Sequence, residues 1–155
     1  MALKEELELI IDDTGPETVM VVREPTINVK GYLVIDNSVY GTPMGRIRIA
    51  PDVTLEEIKR VARDNTLKFC LYDVPMGGGA AGIIIERNAD QERKNLKIAG
   101  FTKLIKPLIK GGNFYPEPGI GTYDTDIKNI LKMAGKPNLP PERIGIFKKE
   151  IPFEK

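Results

Sequence analysis

The run Met76-Gly77-Gly78-Gly79-Ala80-Ala81-Gly82 followed by Ile83-Ile84-Ile85 restricts the fold of this chain more than any other stretch. Gly77, Gly79 and Gly82 satisfy G-x-G-x-x-G, the spacing of a dinucleotide-binding turn. That turn needs a helix to open directly behind it, because the pyrophosphate rests on the helix N-terminus. Here three β-branched residues follow, then Glu86-Arg87-Asn88, and such a run reads as a strand. A Rossmann fold and its cofactor site are therefore not expected. No Lys-Ser or Lys-Thr follows the glycines, so a phosphate-binding P-loop fails too. The segment 75–81 reads as a loop with two uses: a tight connection at positive φ, or backbone N–H groups presented to a carboxylate.

Absent residue types narrow the chemistry. The chain has no histidine, which excludes an imidazole base, a histidine metal ligand and a Ser-His-Asp triad. The single cysteine, Cys70, cannot form an internal disulfide or a cysteine-rich zinc site. Its neighbours Phe69 and Leu71 suggest a buried, inert thiol. No metal site is expected. Twenty-three basic and twenty-two acidic residues leave a net charge of +1, so nothing draws the chain toward nucleic acid or an anionic membrane. No apolar run reaches the ~18 residues of a membrane span, and the N-terminus is charged, which suggests a cytoplasmic protein. The length of 155 residues suits a single domain over 1–155.

Short β-branched runs at 17–23, 31–36 and 46–49 read as strands separated by Asp36-Asn37-Ser38 and Gly41-Thr42-Pro43. The period then changes. Thr54-Leu55-Glu56-Glu57 has the spacing of a reciprocal capping box, and Leu55, Ile58, Val61 and Ala62 share one helical face over about 54–67. Strands are expected at 69–74 and 82–86. A second helix opens at Asp90, carries Leu96, Ala99, Leu104, Ile105 and Leu108, kinks or breaks at Pro107 and stops at Gly111-Gly112. After an irregular stretch at 116–119, Ile127, Ile130, Leu131 and Ala134 mark a third helix, with Gly135 at its end and Pro137 as its stop. The order β-β-β-α-β-β-α-α predicts an α/β sandwich on a mixed sheet.

Five ordered stretches then carry a resemblance. They are Gly41-Thr42-Pro43-Met44-Gly45-Arg46-Ile47-Arg48, Pro51-Asp52-Val53-Thr54-Leu55-Glu56-Glu57, Thr66-Leu67-Lys68, the segment 74–84 around the glycines, and Pro116-Glu117-Pro118-Gly119-Ile120-Gly121-Thr122. From 41 to 137 the chain resembles the N-terminal, substrate-binding and dimerisation domain of the Glu/Leu/Phe/Val dehydrogenases. The glycine segment and the apolar Met44 look most like the leucine/phenylalanine branch.

The resemblance implies that Lys68 pairs with a substrate α-carboxylate, with Met44 and the Gly77, Gly78 and Gly79 backbone beside it. It also implies a general acid/base lysine at 80 and an acid at 119, where this chain has Ala80 and Gly119. Arg46 stands where the family has glycine. Alanine and glycine transfer no protons, and losing one positioned acid/base group costs typically ~10²–10⁴ in rate. Nothing in the spacing makes Tyr72, Asp73 or Glu117 a replacement. The chain ends about where the family's NAD-binding Rossmann domain would begin, so no cofactor is expected on it. Three readings follow. The first is a catalytically inactive oligomerisation or small-carboxylate-binding module, a dimer or larger. The second is the substrate half of a split NAD(P)-dependent amino-acid dehydrogenase whose NAD domain is a separate chain. The third is a regulatory subunit of an intact dehydrogenase.

Overall fold

The computed structural model describes residues 12–136. Eight elements follow in chain order: β1 (Thr18–Glu24), β2 (Val29–Asn37), β3 (Pro43–Ala50), α1 (Leu55–Leu71), β4 (Gly77–Ile84), α2 (Gln91–Gly111), β5 (Tyr115–Pro118) and α3 (Asp124–Met133). The strands form one sheet in the order β1-β2-β4-β3-β5. Pairing is antiparallel from β1 to β2 and from β2 to β4, and parallel from β4 to β3 and from β3 to β5. The mixed α/β sheet expected from the sequence is present. β1, the first of the three early strands, lies at an edge.

Three expectations are corrected. The glycine run is not a loop: residues 77–84 form β4, between β2 and β3, and its glycines are absent from the positive-φ positions. Its backbone is paired on both sides, so it presents no free row of N–H groups to a ligand. Small residues are needed there because helix and neighbouring strand approach closely. A Cβ on Gly78 would overlap Thr66 of α1, and one on Gly45 would overlap the Gly79 carbonyl across the β3–β4 pair. Second, the strand expected at 69–74 is the end of α1. Helical spacing continues through Ala62, Asn65 and Phe69, all buried, until the chain turns at Asp73 with φ 53°. Third, the stretch 115–118 pairs in parallel with β3. Edge strands tolerate proline because one side of their backbone needs no ladder partner.

Two layers cover the sheet. On one face α1 lays Ile58 and Ala62 onto Val34, Val53 and Ala80. On the other, α2 and α3 bury Phe101, Ile105, Ile109, Ile127 and Ile130 against Leu33, Ile47, Ala81 and Ile83. Each such large side chain contributes ~1.5–3 kcal/mol when fully removed from water. The buried face of α2 is partly the expected one: Ile105 is buried, but Leu96 and Leu104 are exposed, and Ile98, Phe101 and Ile109 are buried in addition. Pro107 does not break that helix. Its Asp90 cap holds, accepting from the Arg93 N–H at 2.8 Å, and Gly112 ends it in the left-handed region at φ 77°. The apolar face of α3 is the expected one, with Ile127, Ile130, Leu131 and Ala134 buried. Pro137 lies outside the described residues.

Candidate functional site

The last two turns of α1 run over the N-terminal half of β4 and bring several sequence-singled residues together. Lys68 is exposed at the helix end. Its ammonium donates to Asn65 Oδ1 at 3.1 Å, and the other end of that amide, Nδ2, donates to the Gly79 carbonyl at 2.9 Å. Lys68 is thus tied to the glycine strand through one buried asparagine. The Lys68 Nζ also lies 5.1 Å from the centre of the Phe69 ring, within cation–π range. Beneath it Met44, Phe69 and Met76 form a small buried apolar cluster. The arrangement offers one solvated cation on an apolar base, a combination able to hold a small carboxylate by a charge-assisted hydrogen bond.

Positions 80 and 119 carry no titratable side chain. Ala80 is fully buried, with Val34, Val53, Ile58 and Ala62 around it. Gly119 sits at the end of β5, where its N–H donates to Thr122 Oγ1 at 2.7 Å and that hydroxyl donates to the Ile47 carbonyl at 2.8 Å. A Cβ at 119 would stand 2.7 Å from the Ile47 oxygen and 3.1 Å from Arg46 Cβ. The backbone is therefore closed against a side chain at this point. Arg46 is exposed and pairs in register with Glu117. Tyr115, two residues before Glu117, has its hydroxyl pKa pushed up by burial and then by the Glu117 charge, so it stays protonated near neutrality. Tyr72 and Asp73 lie exposed beyond the helix end.

The Cys70 thiol is exposed rather than buried, because its apolar neighbours in sequence alternate between the two sides of a helix. The capping box is half formed. Thr54 Oγ1 accepts from the Glu57 N–H at 3.2 Å, but the Glu57 carboxylate turns to Arg48 instead. Arg48 also meets Asp52 at 3.1 Å.

A second polar centre escaped the sequence reading. Asp36, read there as a turn residue, is buried at the bulge of β2 opposite β4. It accepts from Arg63 Nε at 2.8 Å and from the Thr66 hydroxyl at 2.7 Å. Arg63 reaches on to Thr14 Oγ1 at 2.7 Å and Asp12 at 3.1 Å. Hydrogen bonds first to Asp36 and then to Asp12 raise the Arg63 pKa. Bonds from the Thr14 hydroxyl and N–H, then from Arg63, hold the Asp12 carboxyl well below the carboxylate range. This network fixes α1, and with it Lys68, over the sheet. The signal available in sequence was helical spacing alone, since Ala62, Arg63 and Thr66 share the inner side of α1. On the far face Lys97, itself buried, donates to both carboxylate oxygens of Glu86 at 3.1 and 2.9 Å. Among the described residues no group of three His, Cys, Asp or Glu could hold a metal ion, and no helix is long and apolar enough to cross a membrane.

Comparison with known proteins agrees with this architecture. Residues 16–136 match the model of the Glu/Leu/Phe/Val dehydrogenase dimerisation domain. The chain is 29% identical over 127 residues to phenylalanine dehydrogenase of Thermoactinomyces intermedius, covering 79% of this chain and 34% of that protein. It is 34% identical over 94 residues to glutamate dehydrogenase of Thermotoga maritima, covering 59% and 22%. The fold superposes with a TM-score of 0.73 on a leucine-bound, hetero-hexameric glutamate dehydrogenase from Thermus thermophilus, at 23% identity over 77% of this chain and 31% of that one. With L-tryptophan dehydrogenase from Nostoc punctiforme the TM-score is 0.70, at 21% identity over 87% and 39%. The chain spans about a third of the length of phenylalanine dehydrogenase and a smaller share of the glutamate enzyme. By the match to its dimerisation domain over 16–136, this chain belongs to the Glu/Leu/Phe/Val dehydrogenase family.

Proposed function

We propose that the described domain is an assembly module of this family that does not carry out amine oxidation with its own residues and holds small carboxylates weakly at Lys68. The observation that carries the reading is the pair of positions 80 and 119. One is a fully buried alanine under α1, the other a glycine whose Cβ direction is closed by the Ile47 carbonyl. Neither supplies a proton donor or acceptor. Met44, buried with Phe69 and Met76, gives the site an apolar floor, and polarizable methionine adapts to aliphatic side chains. Arg46 adds positive charge beside position 119 rather than a partner for an ammonium group. A branched 2-oxo acid therefore binds at least as well as the matching amino acid.

Affinity with one exposed cation is about millimolar, near −4 kcal/mol. The test is a titration of 2-oxo-4-methylpentanoate into wild type and Lys68→Ala, following backbone amide shifts. Shifts at Gly78, Gly79 and Phe69 that vanish in Lys68→Ala support the site. Silent glycines, or equal shifts in both proteins, leave a purely structural module. One relative in the comparison is a hetero-hexamer with leucine bound. Capture of a dinucleotide-binding chain from the cell of origin, together with turnover that depends on Lys68, would instead support a half of a split dehydrogenase.

A further inference from the structure

The opposite end of the parallel strands carries a second crevice. β3 and β4 are adjacent and parallel, yet the helices that follow them lie on opposite faces of the sheet. After β3 the chain enters α1, which packs with Val34, Val53 and Ala80. After β4 it enters α2, which packs with Leu33, Ala81 and Ile83. Where neighbouring parallel strands send their connections to opposite faces, a crevice opens outside their carboxyl ends, and open α/β sheets bind ligands there. A cavity of about 380 Å³ occupies this place, lined by residues 48–52 from the end of β3, by 85–87 past β4, and by Lys94, Gly121 and Tyr123. Its volume is in the range of small-molecule sites. Ala50 lies six residues along β3 from Met44, so the cavity stands about 20 Å from the Lys68 end.

Three cations line it, Arg48, Arg87 and Lys94. Arg87 is exposed and enters no ion pair among the described residues. Arg48 gives its terminal nitrogens to Glu57 and Asp52, but its Nε is shielded from water and has no acceptor. Among the described residues no other buried side-chain polar atom lacks a partner, and a buried donor left unpaired is costly. A small turn of the guanidinium toward the cavity gives that donor to a ligand oxygen. The acids nearby are already engaged: Asp52 with Arg48 at 3.1 Å, Glu86 with Lys97 at 2.9 Å, and Asp126 with Lys94 at 3.1 Å. Arg87 therefore keeps its charge uncompensated. Apolar surface is present as well, from Ile49, Ile85 and the exposed Tyr123 ring, whose centre lies 5.0 Å from Lys94 Nζ.

We propose that this crevice is a second ligand site, for a small organic phosphate. Arg48 and Arg87 take the phosphate oxygens, and the organic body lies against the Tyr123 ring. Guanidinium forks match phosphate geometry, and a dianion answers more than one cation. The site shares no residue with the Lys68 centre and stands whether or not that centre binds carboxylates.

The experiment titrates phenyl phosphate, and benzoate in parallel, while following backbone amide shifts. The expected result is saturable shifts at Ala50, Arg87 and Gly121 with Gly78 and Gly79 silent, and benzoate binding at least about 10-fold more weakly. Arg87→Ala should weaken phenyl phosphate about 10-fold or more, the loss that follows from one charge-assisted hydrogen bond. Arg48→Gln should do the same; because Arg87 is exposed and unpaired, its variant keeps the test decisive if Arg48→Gln fails to fold. Silent crevice amides, or the same affinity in Arg87→Ala as in wild type, overturn the proposal. Benzoate binding as tightly as phenyl phosphate overturns the phosphate assignment. Shifts confined to Gly78 and Gly79 that vanish in Lys68→Ala send the anion to the other end and overturn the crevice while leaving the Lys68 reading intact.

Discussion

Replacing Ala80 by lysine tests the closed character of the β4 centre. Ala80 is fully buried and packs with Val34, Val53, Ile58 and Ala62. Two costs arise, and a methionine control separates them. Ala80→Met adds similar volume without charge, and overpacking of this kind costs typically ~1–3 kcal/mol. Lysine adds the penalty of removing an ammonium from water. Burial lowers a lysine pKa by up to ~3–5 units, and each unit is worth ~1.4 kcal/mol. A shift of about 2–3 units, allowing for relaxation toward solvent, makes Ala80→Lys about 3–4 kcal/mol less stable than Ala80→Met at pH 7. The sign of the pH effect is fixed. A lysine whose folded pKa is depressed binds fewer protons than the unfolded chain between the two pKa values, so stability rises with pH across that window. Urea melts at pH 7 and pH 9.5 should show the deficit relative to methionine shrinking by about 1.5–2.5 kcal/mol. Equal midpoints for the two variants at both pH values would refute the reasoning, because position 80 would then be open to water.

Other consequences follow from single contacts. Gly119→Asp forces a Cβ to within 2.7 Å of the Ile47 carbonyl, and a cost of ~1–3 kcal/mol, typical of such overpacking, should appear in thermal melts without any gain of activity. Asp36→Ala leaves Arg63 and Thr66 without their buried partner. Breaking a buried pair costs ~3–5 kcal/mol, so a loss of about 3 kcal/mol is expected, lowering Tm by roughly 6–12 °C; a shift under about 2 °C would contradict it. Hydrogen bonds from Lys97 hold the Glu86 carboxyl below its ordinary pKa. That contribution is present above the unfolded-state value and disappears as pH falls through the folded one. Glu86→Gln should therefore flatten the acid limb of the stability profile while costing most near neutrality, and identical acid limbs would count against the pair.

Strands β1, β2 and β3 were legible because they alternate apolar and polar residues or run β-branched, and α1 announced its start through Thr54. β4 was not, because periodicity needs side chains and Gly77, Gly78 and Gly79 have none. A strand pressed between a helix and a neighbouring strand looks in sequence like a loop. The end of α1 misled for the opposite reason. Phe69-Cys70-Leu71-Tyr72 is apolar without interruption, as a buried strand would be, yet only Phe69 faces the core. Lys68, Met44 and Gly79 were singled out by resemblance, and the fold brings them to one end of α1. Asn65, the residue that connects Lys68 to Gly79, carried no pattern, since one buried asparagine on a helix resembles any surface asparagine. Asp36 was hidden by the Asn37 and Ser38 beside it, which make the segment read as a turn although the carboxylate faces inward at a bulge.

The central claim is that this domain's own residues do not perform amine oxidation. The most direct test measures NADH and NADPH formation from L-leucine, L-phenylalanine and L-glutamate by the purified protein, alone and supplemented with extract from its own cells. The account predicts no rate from the protein alone, and none beyond the extract's own rate that responds to substitutions at Lys68, Tyr72, Asp73 or Glu117. An increment that appears with wild type and falls by ~10²-fold or more in one of those variants, the loss expected for a positioned acid/base group, would contradict it.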